Sequence, residues 1–139
     1  MTEKQFSESL GREGRQTGEA TMTTRSELAG KRCQSCEGGI PPLATDQIQQ
    51  HLKALPDWKM TPDGKRIRRE WRVKDFVEGL SFFERIGEIA EAEDHHPDLH
   101  LTSYRNLAVE IWTHAIGGLS ENDFILAAKI DQVPVELKK

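Results

Sequence analysis

The sequence predicts an α+β domain in which a four-stranded antiparallel sheet carries about three helices packed on one face. Three observations support this fold class. Segments with helical or strand periodicity follow one another in the order helix, hairpin, long helix, hairpin, helix. Short turn sequences join the strands of each hairpin, so no connection requires a parallel sheet. Helices on one side are the simplest cover for a single apolar sheet face.

The chain has 139 residues, which suffice for one domain with a modest core. Apolar side chains in residues 1–30 lack periodicity, and the segment CEGGIPPL that follows at 36–43 combines Gly-Gly with Pro-Pro. We therefore expect a disordered or loosely ordered N-terminal tail over 1–35, a folded domain over 36–132 and a C-terminal tail over 133–139.

The first predicted helix begins near Thr45, which can act as its N-cap, and ends before Pro56. The stretches 57–60 and 65–73 then flank the turn sequence TPDG. Alternating apolar and polar residues in the second stretch predict a half-exposed hairpin.

A long amphipathic helix is predicted over about 75–93, because Asp75 and Glu78 resemble a capping box. Apolar residues then recur every three or four positions, and we expect Phe76, Leu80 and Phe83 to lie in the core. Pro97 restricts the preceding residue to extended conformations, so the helix ends before it.

The second hairpin has apolar residues at alternate positions of 98–103 and 107–114, separated by the turn sequence SYRN. A final helix follows and ends near Asp131. Ser120 can cap it, and Asp123 stands where a capping box would close.

Composition and charge exclude several classes of function. The formal net charge of −4 gives no positive field for nucleic acid phosphates, so no nucleic acid partner is expected. No apolar run is long enough to span a bilayer, and no hydrophobic signal segment opens the chain. We expect a cytoplasmic protein.

Two cysteines, Cys33 and Cys36, form a C-x-x-C pair. The pair is compatible with an incidental or weakly structural role, with a metal clip between subunits or within the tail, or with redox chemistry. The polar sequence before it and EGGIPP after it do not resemble the strand and helix that normally frame a redox pair.

The stretch EAEDHHPDLHL, at 91–101, contains adjacent histidines at the predicted junction between helix and strand. A turn centred on Arg105 would place Leu99 opposite Ile111 and Leu101 opposite Val109. Extending the same ladder beyond Leu99 brings His96 opposite His114. Strand parity thus predicts that two remote imidazoles are neighbours on the face away from the core.

His95 can join this pair only from the last irregular turn of the helix, where it would lie near Glu91. Imidazoles in unequal surroundings suit acid/base chemistry near neutral pH. Zinc or iron bound by His95, His96 and His114 with Glu91 or Asp94 is the chemical alternative.

The other candidate side chains have two interpretations each. Asp123 is either a structural helix cap or a carboxylate that orients His114. Trp112 either stacks on a planar ligand or lies in a subunit interface. We expect His51 and His100 to be solvated side chains outside the site.

These residues carry a family resemblance. Residues 90–131, AEAEDHHPDLHLTSYRNLAVEIWTHAIGGLSENDFILAAKID, resemble the pterin-4a-carbinolamine dehydratases through A-E-x-x-x-H-H-P, a later T-H and G-L-S-x-x-D. The segments CEGGIPPL, LPDW and R-x-W-x-x-x-D-F resemble bacterial members. The resemblance covers about 36–131.

The resemblance implies loss of water from a 4a-hydroxytetrahydropterin to give a quinonoid dihydropterin, in pterin cofactor recycling, without a metal or organic cofactor. It implies that the catalytic residues are His95, His96 and His114, with matching acidic residues at Glu91 and Asp123. Contacts to the pterin are expected from Glu91, Pro97, Asp98, Trp112 and Asp123.

The resemblance also implies a homodimer or homotetramer. A relative in animals is also a partner of a homeodomain transcription factor, but nothing in this sequence supports that role. The alternative function is a non-catalytic dimerising or regulatory scaffold with the same fold. Three converging histidines argue against it, because a scaffold has no need of them.

Overall fold

The computed structural model describes residues 24–34 and 41–139. Its strands form one antiparallel sheet in the order β1-β2-β4-β3, which confirms the predicted α+β class. The elements are α1 (Arg25–Ala29), α2 (Thr45–Ala54), β1 (Lys59–Met60), β2 (Ile67–Arg72), α3 (Phe76–Glu93), β3 (Asp98–Thr102), β4 (Asn106–Ile111), a 3-10 helix (His114–Ile116) and α4 (Glu121–Asp131).

The core lies between one face of the sheet and helices α3 and α4. Aromatic rings fill its centre, with the Trp71 ring edge-on to Phe82 at 5.2 Å and to Trp58 at 6.0 Å between ring centroids. Phe124 of α4 is fully buried in the same cluster. Among the described residues, no helix is long and apolar enough to cross a membrane.

The register between β3 and β4 differs by two residues from the prediction. Leu99 pairs with Val109 and Leu101 pairs with Leu107. The difference arises in the turn, where Ser103 and Tyr104 have φ angles of 48° and 55°. This left-handed pair centres the turn one residue earlier than expected, but a shift of two residues keeps the predicted sheet face.

Helix α3 has the predicted length, and the Asp75 side chain accepts a hydrogen bond from the Glu78 amide at its start. The prediction of core residues is wrong for Phe76 and Leu80, which are 46% and 48% exposed, whereas Phe83 is partly buried and packs against the core. The buried residues of α3 are Gly79, Phe82, Ile86 and Ala90.

The physical reason is that both sets of residues have helical spacing, so periodicity alone does not choose between them. Gly79 faces the sheet, and a Cβ atom there would lie 3.3 Å from Leu107 Cδ2. A glycine at this position allows close packing of α3 on the sheet.

Parts of both predicted tails pack against the domain where the structure describes them. Residues 24–34 contain α1, whose Leu28 is fully buried against the core. Residues 1–23 and 35–40 lie outside the described residues. At the other end, Val73 forms an antiparallel bridge with Leu137, so residues 133–139 run beside the end of β2 instead of leaving the domain.

Candidate active site

The adjacent histidines point in different directions at the end of α3. Asp94 caps the helix in a left-handed conformation with φ of 52°, which reverses the chain. His95 then turns inward and is 5% exposed. The His96 side chain is 56% exposed, and Pro97 follows it into β3. The prediction that the pair lies at a junction between helix and strand is confirmed.

His95 bonds to the carboxylate of Asp123, which is fully buried. The ring atom Nε2 lies 2.7 Å from Asp123 Oδ1. Because an ionised carboxylate only accepts, Nε2 donates in this bond when Asp123 is ionised, and Nδ1 is then the nitrogen that can accept. A histidine held in this way by a carboxylate resembles an oriented general base.

The second oxygen of Asp123 holds the start of α4 and the strand exit beside it. Oδ2 accepts from the Ser120 amide at 2.8 Å and from Thr113 Oγ1 at 2.9 Å. The predicted capping role of Asp123 is therefore confirmed. The ring that Asp123 orients is that of His95 and not His114, which corrects the other expectation. Sequence reasoning did not identify Thr113, although it precedes His114 in the T-H motif.

Glu91 pairs with His96 and not with His95. The distance from His96 Nε2 to Glu91 Oε2 is 2.6 Å, and both side chains are exposed. The expectation that Glu91 lies near His95 assumed that the helix continues through that residue. The left-handed Asp94 ends the helix first, so His95 turns toward α4.

His114 does not occupy the ladder position that was predicted for it. Continuing the observed β3–β4 register would bring His96 opposite Trp112, and His114 begins the 3-10 helix beyond the strand. The His114 ring instead lies against Trp112, with ring centroids 4.2 Å apart. Its connection to His95 runs through Thr113 and Asp123, two hydrogen bonds that join the neighbouring segments.

Arg66 is a further side chain near these residues that sequence reasoning did not identify. Its guanidinium lies 4.8 Å from the centroid of the Trp112 ring and 3.6 Å from Asp98 Oδ2. Arg66 also bonds to Glu110 at 3.0 Å. Burial alone would raise the pKa of Glu110, but hydrogen bonds from Arg68 and Arg66 outweigh it and lower that pKa. The alternation in this stretch of sequence could have identified Arg66, because residues two positions apart, such as Arg66 and Arg68, lie on the same face of a strand.

The two histidines that were expected to be solvated have different surroundings. His100 is exposed, as expected. His51 is buried, with its ring edge-on to Phe124 at 5.0 Å, so that expectation is wrong. Burial lowers the pKa of His51, and the charge of Glu121 opposes this effect only in part.

Cys33 lies between α3 and α4, and Cys36 lies outside the described residues. Burial, followed by the charges of Glu93 and Asp123, raises the pKa of the Cys33 thiol to about 12. A protonated thiol is a poor nucleophile, which disfavours the redox interpretation. Within residues 24–34 and 41–139, no group of three or more His, Cys, Asp or Glu side chains is arranged to hold a metal ion.

Comparisons with known proteins match most of the chain to one family. The family model described as pterin 4 alpha carbinolamine dehydratase matches residues 41–133. The mitochondrial pterin-4-alpha-carbinolamine dehydratase 2 of Arabidopsis thaliana is 46% identical over 126 residues, which are 88% of this chain and 67% of the relative. A putative pterin-4-alpha-carbinolamine dehydratase of Halorhodospira halophila is 47% identical over 75% of this chain and 94% of its own.

A solved structure is also similar. The crystal structure of a transcriptional coactivator/pterin dehydratase from Brucella melitensis is 28% identical, with a TM-score of 0.62. The match covers 66% of this chain and 96% of that one.

Proposed function

This chain belongs to the pterin 4 alpha carbinolamine dehydratase family, and from that membership we propose that it is a hydro-lyase that removes water from a 4a-hydroxytetrahydropterin. The product is a quinonoid dihydropterin, and the role is recycling of a pterin cofactor. The single observation in the structure that best supports this chemistry is the pairing of buried His95 with Asp123 beside the exposed His96.

The dehydration needs one proton donor and one proton acceptor. The C4a–O bond breaks, and the departing hydroxyl takes a proton from an acid to leave as water. N5 of the pterin loses its proton to a base, and its electron pair forms the new C=N bond. The protons balance without a redox partner, so two imidazoles near the bicyclic ring can supply both transfers.

We assign the acid to His96 or His114 and a base or binding role to His95. The rings of His96 and His114 are exposed and can meet a ligand from solvent. His95 is buried, and its bond to Asp123 fixes both the ring plane and the hydrogen on Nε2. A fixed ring suits the acceptor, because proton transfer needs close and constant alignment.

The remaining side chains would hold the pterin. Glu91 has a carboxylate that can accept from the amino-pyrimidine edge while it bonds His96. Trp112 offers an aromatic surface, and Pro97 and Asp98 border the start of β3. Asp123 would act through His95, because its carboxylate is fully buried.

A non-catalytic scaffold is the less well supported alternative. The Brucella melitensis relative has a name that joins a coactivator to a pterin dehydratase. In this chain, however, a fully buried carboxylate accepts from His95 while the next histidine is exposed to solvent. A non-catalytic scaffold would not require this arrangement.

We also propose a cytoplasmic homodimer or homotetramer. Strands β1 and β3 are both edges of the sheet and can pair with another chain. Helix α3 exposes Phe76, Val77 and Leu80, an apolar surface that a second subunit could cover. Light scattering on the purified protein would give the mass, and a monomer across micromolar concentrations would contradict the proposed assembly.

The decisive experiment measures dehydration of a chemically generated 4a-hydroxytetrahydropterin. Wild type is compared with His96→Ala and with His100→Ala, a matched control whose imidazole is exposed on β3. Loss of a general acid or base lowers the rate by about 10²–10⁴-fold. We expect a loss of that size for His96→Ala and less than about threefold for the control.

Two results would contradict the proposal. Wild-type protein that does not accelerate the reaction over buffer would overturn the assigned activity. Near-equal losses for His95, His96 and His114 variants, with no difference between their pH–rate limbs, would overturn the division into acid and base.

A further inference from the structure

Residues 24–34, here called the N-terminal arm, precede the family-matched residues 41–133 and pack on α4. Leu28 is fully buried. Lys129 Nζ donates to the Ala29 carbonyl at 2.7 Å, and Arg25 lies 3.5 Å from the buried carboxylate of Asp131. The arm is therefore attached along the length of α4.

The end of the arm bonds to two helices at once. The Cys33 amide donates to Glu93 Oε1 at 2.8 Å, and Glu93 is the last residue of α3. The Gln34 amide donates to Asn122 Oδ1 at 2.9 Å, and Asn122 Nδ2 donates back to the Gln34 carbonyl at 2.8 Å. Two consecutive peptide units thus bridge the last turn of α3 and the first turn of α4.

Those two helix ends carry the buried pair of the site. His95 lies two residues after Glu93, and Asp123 is the residue after Asn122. The His95–Asp123 bond spans the gap between α3 and α4 that the arm also spans. A bridge beside that bond restrains the distance between the two helix ends.

Charge strengthens the bridge on the α3 side. Burial would raise the pKa of Glu93, but the Cys33 amide and the charges of Lys129 and Arg32 outweigh it and lower that pKa. The bond from the Cys33 amide is therefore made to a carboxylate, and hydrogen bonds to ionised acceptors are shorter and stronger than neutral ones.

We propose that the N-terminal arm is a positioning device that holds His95 against Asp123 by joining Glu93 to Asn122. In this proposal the arm acts through His95 and not by contact with the substrate. Its effect on turnover rests on the proposed dehydratase function, whereas its effect on the geometry of His95 does not. A misplacement of about 1 Å at a reacting group can cost on the order of 10²-fold in rate.

The test uses full-length protein in which Cys36→Ser leaves Cys33 as the one thiol. Asn122→Ala removes both bonds to Gln34. Gln34→Pro removes the Gln34 amide donor and fixes the backbone φ at that residue, but it changes no residue of α3 or α4, so it serves if the first variant folds poorly. Lys31→Ala is the matched control, since Lys31 also joins the arm to α4, through an exposed pair with Glu121 at 2.8 Å.

Three measurements are made on each protein. The rate of Cys33 labelling by a disulfide reagent reports whether the arm is attached. The ring-nitrogen resonances of His95 report its bond to Asp123, and the assay gives kcat and KM separately. For Asn122→Ala and Gln34→Pro we expect labelling at least tenfold faster, shifted His95 resonances, and kcat lowered at least tenfold with KM within threefold. Lys31→Ala should match the parent protein.

Faster labelling with unchanged His95 resonances would overturn the proposal, because the arm would then be packing without a positioning effect. Unchanged labelling in both variants would also overturn it, because the bridge would not be what holds the arm. If the parent protein has no dehydratase activity, the proposed function fails, and the labelling and resonance data still decide whether the arm positions His95.

Discussion

Replacing Asp123 by asparagine should destabilise the protein and reverse the tautomer of His95. The carboxylate of Asp123 is fully buried and accepts three hydrogen bonds, from His95, Thr113 and the Ser120 amide. In Asp123→Asn, the amide oxygen can still accept from Thr113 and Ser120. The amide nitrogen then faces His95, so Nε2 must accept and its hydrogen must move to Nδ1.

The magnitude follows from the charge on the acceptor. A hydrogen bond to a charged group contributes roughly 1.5–3 kcal/mol, and a neutral one about 0.5–1.5 kcal/mol. Losing about 1 kcal/mol at each of three bonds lowers the free energy of unfolding by about 3 kcal/mol. Asp123→Ala, which leaves the His95 ring unpaired, should cost about 3–5 kcal/mol.

Urea denaturation followed by the fluorescence of the buried Trp58 and Trp71 measures the stability, and nitrogen NMR of the imidazole identifies the tautomer. Asp94→Asn is the matched control, because Asp94 is exposed and asparagine also accepts its left-handed conformation. We expect that control to lie within about 0.5 kcal/mol of wild type. An Asp123→Asn protein as stable as the control, with hydrogen still on His95 Nε2, would refute the reasoning.

Three other predictions concern the core, pH and the Trp112 contact. Phe82→Ala should lower the free energy of unfolding by about 3–5 kcal/mol, and the half-exposed Phe76→Ala by less than about 1 kcal/mol; equal losses in urea would contradict the observed face of α3. The pKa of His51 is lowered in the folded protein from its ordinary value of 6.5. As the pH falls below about 6.5, the unfolded chain therefore binds a proton at His51 that the folded protein does not bind, and the free energy of unfolding should decrease. In urea titrations at several pH values, His51→Gln should reduce the dependence of the free energy of unfolding on pH. An unchanged dependence would mean that other groups cause it. Arg66→Met should shift the ring-proton resonances of His114, whose indole neighbour loses its cation, and unchanged resonances would mean that Arg66 has no part in holding the ring.

Strand parity and helix caps were the features that local sequence predicted best. The alternation of Leu99 and Leu101 placed both on the face of Val109, and that placement survived a two-residue change in register. Asp75 and Asp123 cap their helices as predicted. These features depend on residues within a few positions of one another, so the sequence contains the necessary information.

The partners of the histidines could not be predicted in the same way. A left-handed Asp94 turns His95 from Glu91 to Asp123, a residue 28 positions away in the sequence. Left-handed Ser103 and Tyr104 move the turn, so His114 does not stand opposite His96. Each change is a left-handed backbone conformation at one or two residues, and it alters which side chains become neighbours.

The sequence by itself determined the fold class and the order of the helices and strands from α2 to α4. Those properties follow from periodicity, capping and turn residues, which act over one or two turns of chain. Only the tertiary structure decided which face of α3 is buried, that residues 24–34 join α3 to α4, and that Asp123 belongs to His95. Such pairings depend on how whole elements pack, because more than one local pattern satisfies the same periodicity. Packing selects the arrangement that fills the shared core and also gives the buried carboxylate of Asp123 its hydrogen-bond partners.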